Sequence, residues 1–194
     1  MGLAALAVAG VVLPLRTPSW SGAPVAATDP VTEPRAEAAP ALEAAITALD
    51  LVRPAGARAA EDFTLPTLGG GTFGLSGQRG KAVLVNFWAT WCPPCLAEMP
   101  AMERLWRRHR AEGFVIVAVS VDADAAIVPR FIEDRGVSFP VAFDPEMKVA
   151  GAYGVRALPA SFVIDHRGRM AALALGPRAW DTRPSDALLE ALRP

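Results

Sequence analysis

The chain's only two cysteines, Cys92 and Cys95, lie in the segment that most constrains its fold, residues 82–100 (AVLVNFWATWCPPCLAEMP). Residues 83–88 are apolar apart from one asparagine and rich in β-branched and aromatic side chains, which is typical of a buried, parallel strand. The two prolines between the cysteines suit the first turn of a helix, where a missing N–H has no partner to lose. The segment therefore predicts a strand, a short turn and a helix that begins at the cysteines.

Thiol chemistry is the function that this placement favours. Cys92 lies at the predicted strand-to-helix turn, and a helix N-terminus favours the thiolate, which is the nucleophilic form of cysteine. Cys95 lies on the same helical face and can form a disulfide with Cys92. Because Pro93 and Pro94 each remove a backbone donor near the sulfurs, we expect a less stabilised thiolate and a pair that acts as a reductant.

The motif VLVNFWATWCPPC resembles the active site of thioredoxin-fold proteins. With Asn86 in the strand, Glu98 after the second cysteine and Pro100 in the helix, it resembles the TlpA/ResA/CcmG group of extracytoplasmic thiol-disulfide oxidoreductases. The resemblance covers roughly residues 61–192, about two thirds of the chain. It implies an α/β, thioredoxin-like fold with a mixed central sheet flanked by helices, an N-terminal β-hairpin and a βα insertion before a late cis-proline.

Glu98 is the residue that we expect to exchange a proton with the thiols. It follows Cys95 by three residues and should lie near the sulfurs on the same helical face, where a carboxylate could take a proton from Cys95 or supply one. Plain thioredoxins carry an acidic residue at the strand position held here by Asn86, which cannot titrate. The alternative is a solvated glutamate on an exposed helix face.

A late proline supplies the second part of the predicted site. Pro159, in the segment ALPAS, matches the proline that is cis in thioredoxin-fold proteins. In the cis form it would pack beside the cysteines and leave the backbone of Leu158 free to pair with an extended substrate segment. The alternative is an ordinary loop proline. Trp91, Pro93 and Pro94 are expected to contact a partner protein at the exposed rim of the site.

The remaining aromatic and histidine residues have structural interpretations. Trp88, Trp106 and Trp180 are interpreted as packing residues, and His109 as part of a solvated, basic helix end that complements the helix dipole. A zinc site is not favoured, because zinc requires four ligands and only His109 and His166 add soft donors, at no motif spacing. No cofactor is predicted, since the sequence contains no flavin or nicotinamide motif.

The N-terminal part of the chain contains no predicted chemistry. Its start is uncharged and apolar but short for a membrane span, and residues 1–27 are predicted to be a signal peptide or N-terminal membrane anchor, with a cleavage site at 25–27. No basic residue precedes the apolar run, which a true start upstream of Met1 would explain; the alternative is a disordered Ala-rich tail. Residues 28–60 are predicted to be an Ala/Pro-rich linker with one short helix at 41–52.

Residues 61–194 are predicted to form one thioredoxin-like domain. Turn residues and hydrophobic periodicity predict these further elements: a β-hairpin over 62–75, a buried strand over 114–121, a helix over 124–135, a strand over 141–143, a short helix over 144–152, a hairpin over 161–175 and a closing helix over 185–192.

The predicted function is that of an exported protein that reduces disulfides in partner proteins, in the periplasm or another extracytoplasmic compartment where disulfides form readily. The resemblance implies apocytochrome c or copper-site proteins as substrates and a membrane-bound thiol reductase as electron donor. A net charge of −1, with acidic and basic residues mixed throughout, gives no sign of a nucleic-acid surface. Two alternatives stay open: a copper(I)-binding chaperone that uses the two thiolates, and a peroxiredoxin-like peroxidase.

Overall fold

The computed structural model of the protein describes residues 1–2, 34–56 and 58–194. The segment predicted to be a signal peptide or anchor, including its cleavage site at 25–27, lies outside the described residues apart from residues 1–2. In the described part of the chain, no helix has both the length and the apolar character needed to cross a membrane.

A five-stranded mixed sheet forms the centre of the fold. Its strands are β3 (Ala82–Trp88), β4 (Phe114–Ser120), β5 (Val141–Phe143), β6 (Ala160–Ile164) and β7 (Met170–Leu175). They lie in the order β5-β4-β3-β6-β7, with β4 parallel to both β3 and β5 and with β6 antiparallel to both β3 and β7. Every residue of β3 and β4 is buried, which accounts for sequences that are apolar apart from Asn86 and Ser120. The predicted mixed sheet is confirmed.

Both edges of this sheet are covered by segments that precede β3 in the chain. Strands β1 (Thr64–Pro66) and β2 (Thr72–Gly74) form the predicted antiparallel hairpin, and Thr67 beside it makes a bridge to Ala142 in β5. At the other edge Val52 makes a bridge to Leu173 in β7. Covered edges leave fewer backbone groups open to pairing with another chain.

Four helices follow β3 in the chain: α2 (Pro93–His109), α3 (Val128–Asp134), α4 (Lys148–Ala152) and α5 (Arg183–Leu192). The helix predicted over 124–135 is divided into a 3₁₀ turn at Ala125–Ile127 and α3, and a proline lies in the first turn of α3. Proline is accepted at that position because its missing N–H would have no helical partner. Together β5 and α4 form the predicted βα insertion.

The N-terminal segment differs from the predicted linker. Helix α1 (Pro34–Ala48) begins earlier than the helix expected at 41–52, and it packs against α5. Ile46 and Leu49, which lie at helical spacing, are buried in the same core as the sheet. Because this apolar stripe is covered by α5, α1 belongs to one compact unit with the thioredoxin-like domain.

Candidate active site

Cys92 and Cys95 are joined by a disulfide at the start of α2, with 5.3 Å between their Cα atoms. Cys92 is the N-cap residue in an extended conformation, and its Sγ accepts a hydrogen bond from the backbone N–H of Cys95 at 3.4 Å. Cys92 is 4% exposed and Cys95 is 1% exposed. The more exposed of the two cysteines, Cys92, therefore lies at the helix N-terminus, where free N–H groups favour a thiolate after reduction.

The turn that leads from β3 to Cys92 is held by a buried aspartate. Asp122 accepts hydrogen bonds from the backbone N–H of Thr90 at 3.0 Å, from Oγ1 of Thr90 at 2.7 Å and from Oγ of Ser120 at 2.8 Å. Sequence reasoning did not identify this residue. The available signal was its position two residues after the end of β4, because the carboxyl ends of parallel strands meet at one edge of a sheet.

Glu98, one helical turn after Cys95, is buried rather than solvated, with an exposed fraction of 3%. Its Oε1 accepts a hydrogen bond from Nδ2 of Asn86 at 2.8 Å. Its Oε2 accepts one from the backbone N–H of Arg178 at 3.0 Å and one from Nε1 of Trp180 at 3.2 Å. The carboxyl group is therefore surrounded by donors from β3 and from the connection between β7 and α5.

Opposing effects act on the proton affinity of Glu98. Burial raises the pKa of Glu98 above its ordinary value, because desolvation penalises the carboxylate. The donors from Arg178, Asn86 and Trp180, together with the positive charge of Arg178, lower the pKa and offset part of this effect. Burial favours the protonated acid, whereas the donors favour the carboxylate. A carboxyl group on which both effects act can accept a proton and supply one.

Asn86 connects Glu98 to the strand that follows the late proline. Its Nδ2 donates a second hydrogen bond to Oγ of Ser161 at 2.8 Å, and the two residues are direct partners in the β3–β6 ladder. Neither Ser161 nor Arg178 was identified from the sequence, and Trp180 was interpreted only as a packing residue. Ser161 reaches Asn86 through the pairing of β6 with β3, and Arg178 and Trp180 reach Glu98 from the connection between β7 and α5. No local sequence pattern indicates these long-range contacts.

The late proline lies at the end of the sheet that carries the cysteines. The Leu158–Pro159 peptide bond is cis, and Ala160, the next residue, pairs with Phe87 near the end of β3. Pro159 is buried. The backbone of Leu158 makes no hydrogen bond to any residue that the structure describes.

An exposed rim borders the disulfide. Trp91 is 67% exposed, and Pro93 and Pro94 are exposed as well. Trp91 and Pro93 adjoin Cys92 in the chain and Pro94 adjoins Cys95, so a protein that reaches this disulfide would contact them. Their predicted positions on the surface agree with the structure, and their role in binding stays a prediction.

His109 differs from its predicted environment. Its side chain is largely buried rather than solvated, and its Nε2 lies 2.7 Å from Oδ1 of Asp186 in α5. This contact fixes the end of α2 against α5, so it is part of the scaffold. Elsewhere in the described ranges, no group of three or more His, Cys, Asp or Glu side chains is arranged to hold a metal ion.

A disulfide-bonded cysteine pair at a strand-to-helix junction, with a cis-proline at the same end of a mixed sheet, is the arrangement of a thioredoxin-fold protein. The chain belongs to the AhpC/TSA family, whose family model matches residues 57–173.

Named relatives specify the activity within this family. Over 117 residues the chain is 39% identical to the thiol-disulfide oxidoreductase ResA of Bacillus thuringiensis, a match that covers 60% of this chain and 68% of the relative. The ResA of Geobacillus thermodenitrificans is 41% identical over 117 residues, covering 60% and 67%. The crystal structure of a thiol:disulfide interchange protein of Chlorobium tepidum superposes with a TM-score of 0.63 at 32% identity, covering 72% of this chain and 99% of that one. The protein is a thiol-disulfide oxidoreductase of the ResA type.

Proposed function

We propose that the protein reduces disulfides in extracytoplasmic partner proteins, with Cys92 as the attacking thiol, Cys95 as the resolving thiol and Glu98 as the proton-exchanging group. The observation that carries the proposal is the buried carboxyl group of Glu98, one helical turn beyond a dithiol at a helix N-terminus. The prolines between the cysteines leave fewer donors to stabilise a thiolate, which favours the disulfide product and hence electron donation.

The reaction proceeds by two thiol–disulfide exchanges. The Cys92 thiolate attacks a substrate disulfide, so that one mixed disulfide forms and one substrate thiolate leaves. Cys95 then transfers its proton to the Glu98 carboxylate and attacks Sγ of Cys92, which releases the second substrate thiolate. The leaving thiolates take up protons, one of them from Glu98. Two electrons pass to the substrate, and the Cys92–Cys95 disulfide is the product.

A substrate polypeptide is proposed to dock along the rim of the site. Trp91, Pro93 and Pro94 would supply its apolar contacts, and the unpaired backbone of Leu158, before Pro159, would add main-chain hydrogen bonds to an extended segment. Main-chain pairing depends little on side-chain identity, so it suits a reductase that must accept the sequence surrounding a disulfide in another protein.

We further propose an extracytoplasmic, or periplasmic, location, with the N-terminal segment serving as a signal peptide or membrane anchor. Cytochrome c maturation or the assembly of an oxidase copper site would then supply the substrates, since their cysteines must be kept reduced where disulfides form readily. A membrane-bound thiol reductase would return electrons to the Cys92–Cys95 disulfide, and no cofactor is required for either exchange.

Trapping of the mixed disulfide tests the assigned thiol roles. The reduced full chain, its Cys95→Ser variant and its Cys92→Ser variant are incubated with oxidised insulin as a model disulfide and analysed by non-reducing electrophoresis. The expected result is reduction of insulin disulfides by the unmodified protein, with stoichiometric formation of its Cys92–Cys95 disulfide, a dithiothreitol-sensitive adduct with Cys95→Ser, and no adduct with Cys92→Ser. An adduct that forms only with Cys92→Ser, or an unmodified protein that cannot reduce insulin, contradicts the proposal.

A further inference from the structure

Arg178 binds the end of α1 with its side chain. Its Nε donates to the carbonyl oxygen of Leu49 at 2.9 Å, and its Nη2 donates to the carbonyl oxygen of Asp50 at 2.7 Å and to Oδ2 of Asp50 at 3.0 Å. These carbonyl groups lie just beyond the last residue of α1, where helix carbonyls lack partners and attract cations. The guanidinium group therefore holds the segment that directly follows α1.

The same guanidinium group also holds the loop in which Arg178 lies. Its Nη1 is within hydrogen-bond distance of three carbonyl oxygens that follow or end β7: Leu175 at 3.2 Å, Gly176 at 3.3 Å and Pro177 at 3.0 Å. The planar fork of arginine presents five N–H donors in fixed directions, so one side chain can join two backbone segments. The loop and the end of α1 are tied together by this side chain.

The main chain of Arg178 contacts the candidate active site. Its backbone N–H donates to Oε2 of Glu98, at 3.0 Å, from within the loop that its guanidinium group fixes. The groups that face Glu98 from the other elements are Asn86 on β3 and Trp180 beyond the loop, and both are neutral donors. Arg178 thus links the end of α1 to the Glu98 carboxyl group through its own side chain and main chain.

We propose that Arg178 is a positioning residue through which the docking of α1 on α5 sets the hydrogen bonding of Glu98. When α1 is docked, the Leu49 and Asp50 carbonyl groups hold the guanidinium group, and the loop keeps the Arg178 N–H directed at Oε2. When α1 is displaced, the loop loses these contacts and the donor to Glu98 is weakened. Proton exchange at Glu98 is thereby coupled to the N-terminal part of the domain. This inference rests on the proposed role of Glu98 in thiol chemistry.

The test follows the Glu98 carboxyl group by NMR in the oxidised full chain with ¹³C-labelled glutamate side chains, and Glu98→Gln identifies the resonance. Ile46→Ala weakens the docking of α1, and Ile132→Ala in α3 is its matched control because both isoleucines are 5% exposed. Arg178→Ala removes the link, Arg178→Lys keeps its charge without the fork, and Arg183→Ala controls for the loss of one positive charge nearby.

The expected result is a higher titration midpoint of Glu98 in Ile46→Ala, Arg178→Ala and Arg178→Lys, because each weakens the donor to the carboxylate. Ile132→Ala and Arg183→Ala should keep the unmodified midpoint. In the double variant with Arg178→Ala, Ile46→Ala should add no further shift, since the link is already absent.

Three results would overturn the inference: an unchanged or lower midpoint in Ile46→Ala, the same shift in Ile132→Ala, or full retention of the midpoint in Arg178→Lys. The last would show that charge, not the fork, is what Glu98 senses. None of these measurements uses a reductase assay, so a failure of this inference is distinguishable from a failure of the proposed function.

Discussion

The indole Nε1 of Trp180 donates a hydrogen bond to Oε2 of Glu98 at 3.2 Å, and both side chains are buried. A tryptophan that contributes large apolar surface to the core therefore also holds the proposed proton-exchanging group. The two functions of the side chain can be separated, because phenylalanine keeps an aromatic ring and lacks the donor.

For Trp180→Phe we expect the pKa of Glu98 to rise further and the free energy of unfolding to fall by about 1 kcal/mol for the lost hydrogen bond, in addition to the cost of the smaller ring. Trp88→Phe is the control, since Trp88 is equally buried and its Nε1 has no hydrogen-bond partner in the described part of the chain. Denaturant unfolding and carboxyl NMR measure both quantities. Equal losses of stability in the two variants, with no movement of the Glu98 titration, would contradict this role.

Glu98 should make stability depend on pH in the direction opposite to a carboxylate whose pKa is lowered by folding. Because burial raises its pKa in the folded protein, the folded state binds the proton more tightly than the unfolded chain does. The resulting stabilisation is present below the unfolded pKa and is lost as pH rises through the folded pKa. We therefore expect the Tm of the oxidised protein to fall relative to that of Glu98→Gln as pH increases from about 4 to about 8.

Glu103 provides a control of opposite sign for this pH series. Burial acts to raise the pKa of Glu103, but hydrogen bonds from Ser138 and Arg107 outweigh it and hold the pKa below the ordinary value. Its stabilisation is present above the unfolded pKa and is lost as pH falls through the folded pKa. The Tm difference between the unmodified protein and Glu103→Gln should grow with pH, and parallel trends for the two variants would refute the assignment at Glu98.

Asp122 should contribute more to the free energy of unfolding than its position in a loop suggests. Replacement by alanine leaves the N–H of Thr90 and the hydroxyl of Ser120 without their acceptor in a buried site, which we expect to cost about 3 kcal/mol of unfolding free energy. Asp124→Ala, which removes an exposed bond to the N–H of Ala126, should cost about 1 kcal/mol or less. Denaturant unfolding of both variants measures the difference, and similar losses would show that Asp122 does not anchor the turn.

The sequence was sufficient for the parts of the fold that depend on local patterns. The apolar run of β3, the prolines after Cys92 and the β-hairpin turns are local signals, and the structure has a strand, a helix and a hairpin where they predict them. The resemblance to a known family identified Pro159 and Glu98 as candidate site residues. The positions of these residues follow from chain order, so they could be predicted without tertiary structure.

The surroundings of Glu98 could not be predicted in this way. Arg178 and Trp180 are separated from it by 80 and 82 residues, and they approach it only because the β7–α5 connection passes over α2. The packing of α1 could not be predicted either. An Ala- and Pro-rich segment with few large apolar residues is typical of a linker, and it is the structure that shows α5 covering its apolar stripe. Composition alone does not distinguish a docked helix from a linker.

The reduction potential of the Cys92–Cys95 pair tests the central claim most directly. The full chain is equilibrated with glutathione buffers or with a dithiol of lower potential, and the fraction of disulfide is measured at each ratio. The account predicts a potential near that of thioredoxin, about −270 mV. A potential near about −120 mV, the value of the strong oxidant DsbA, would contradict it and identify the protein as a disulfide donor.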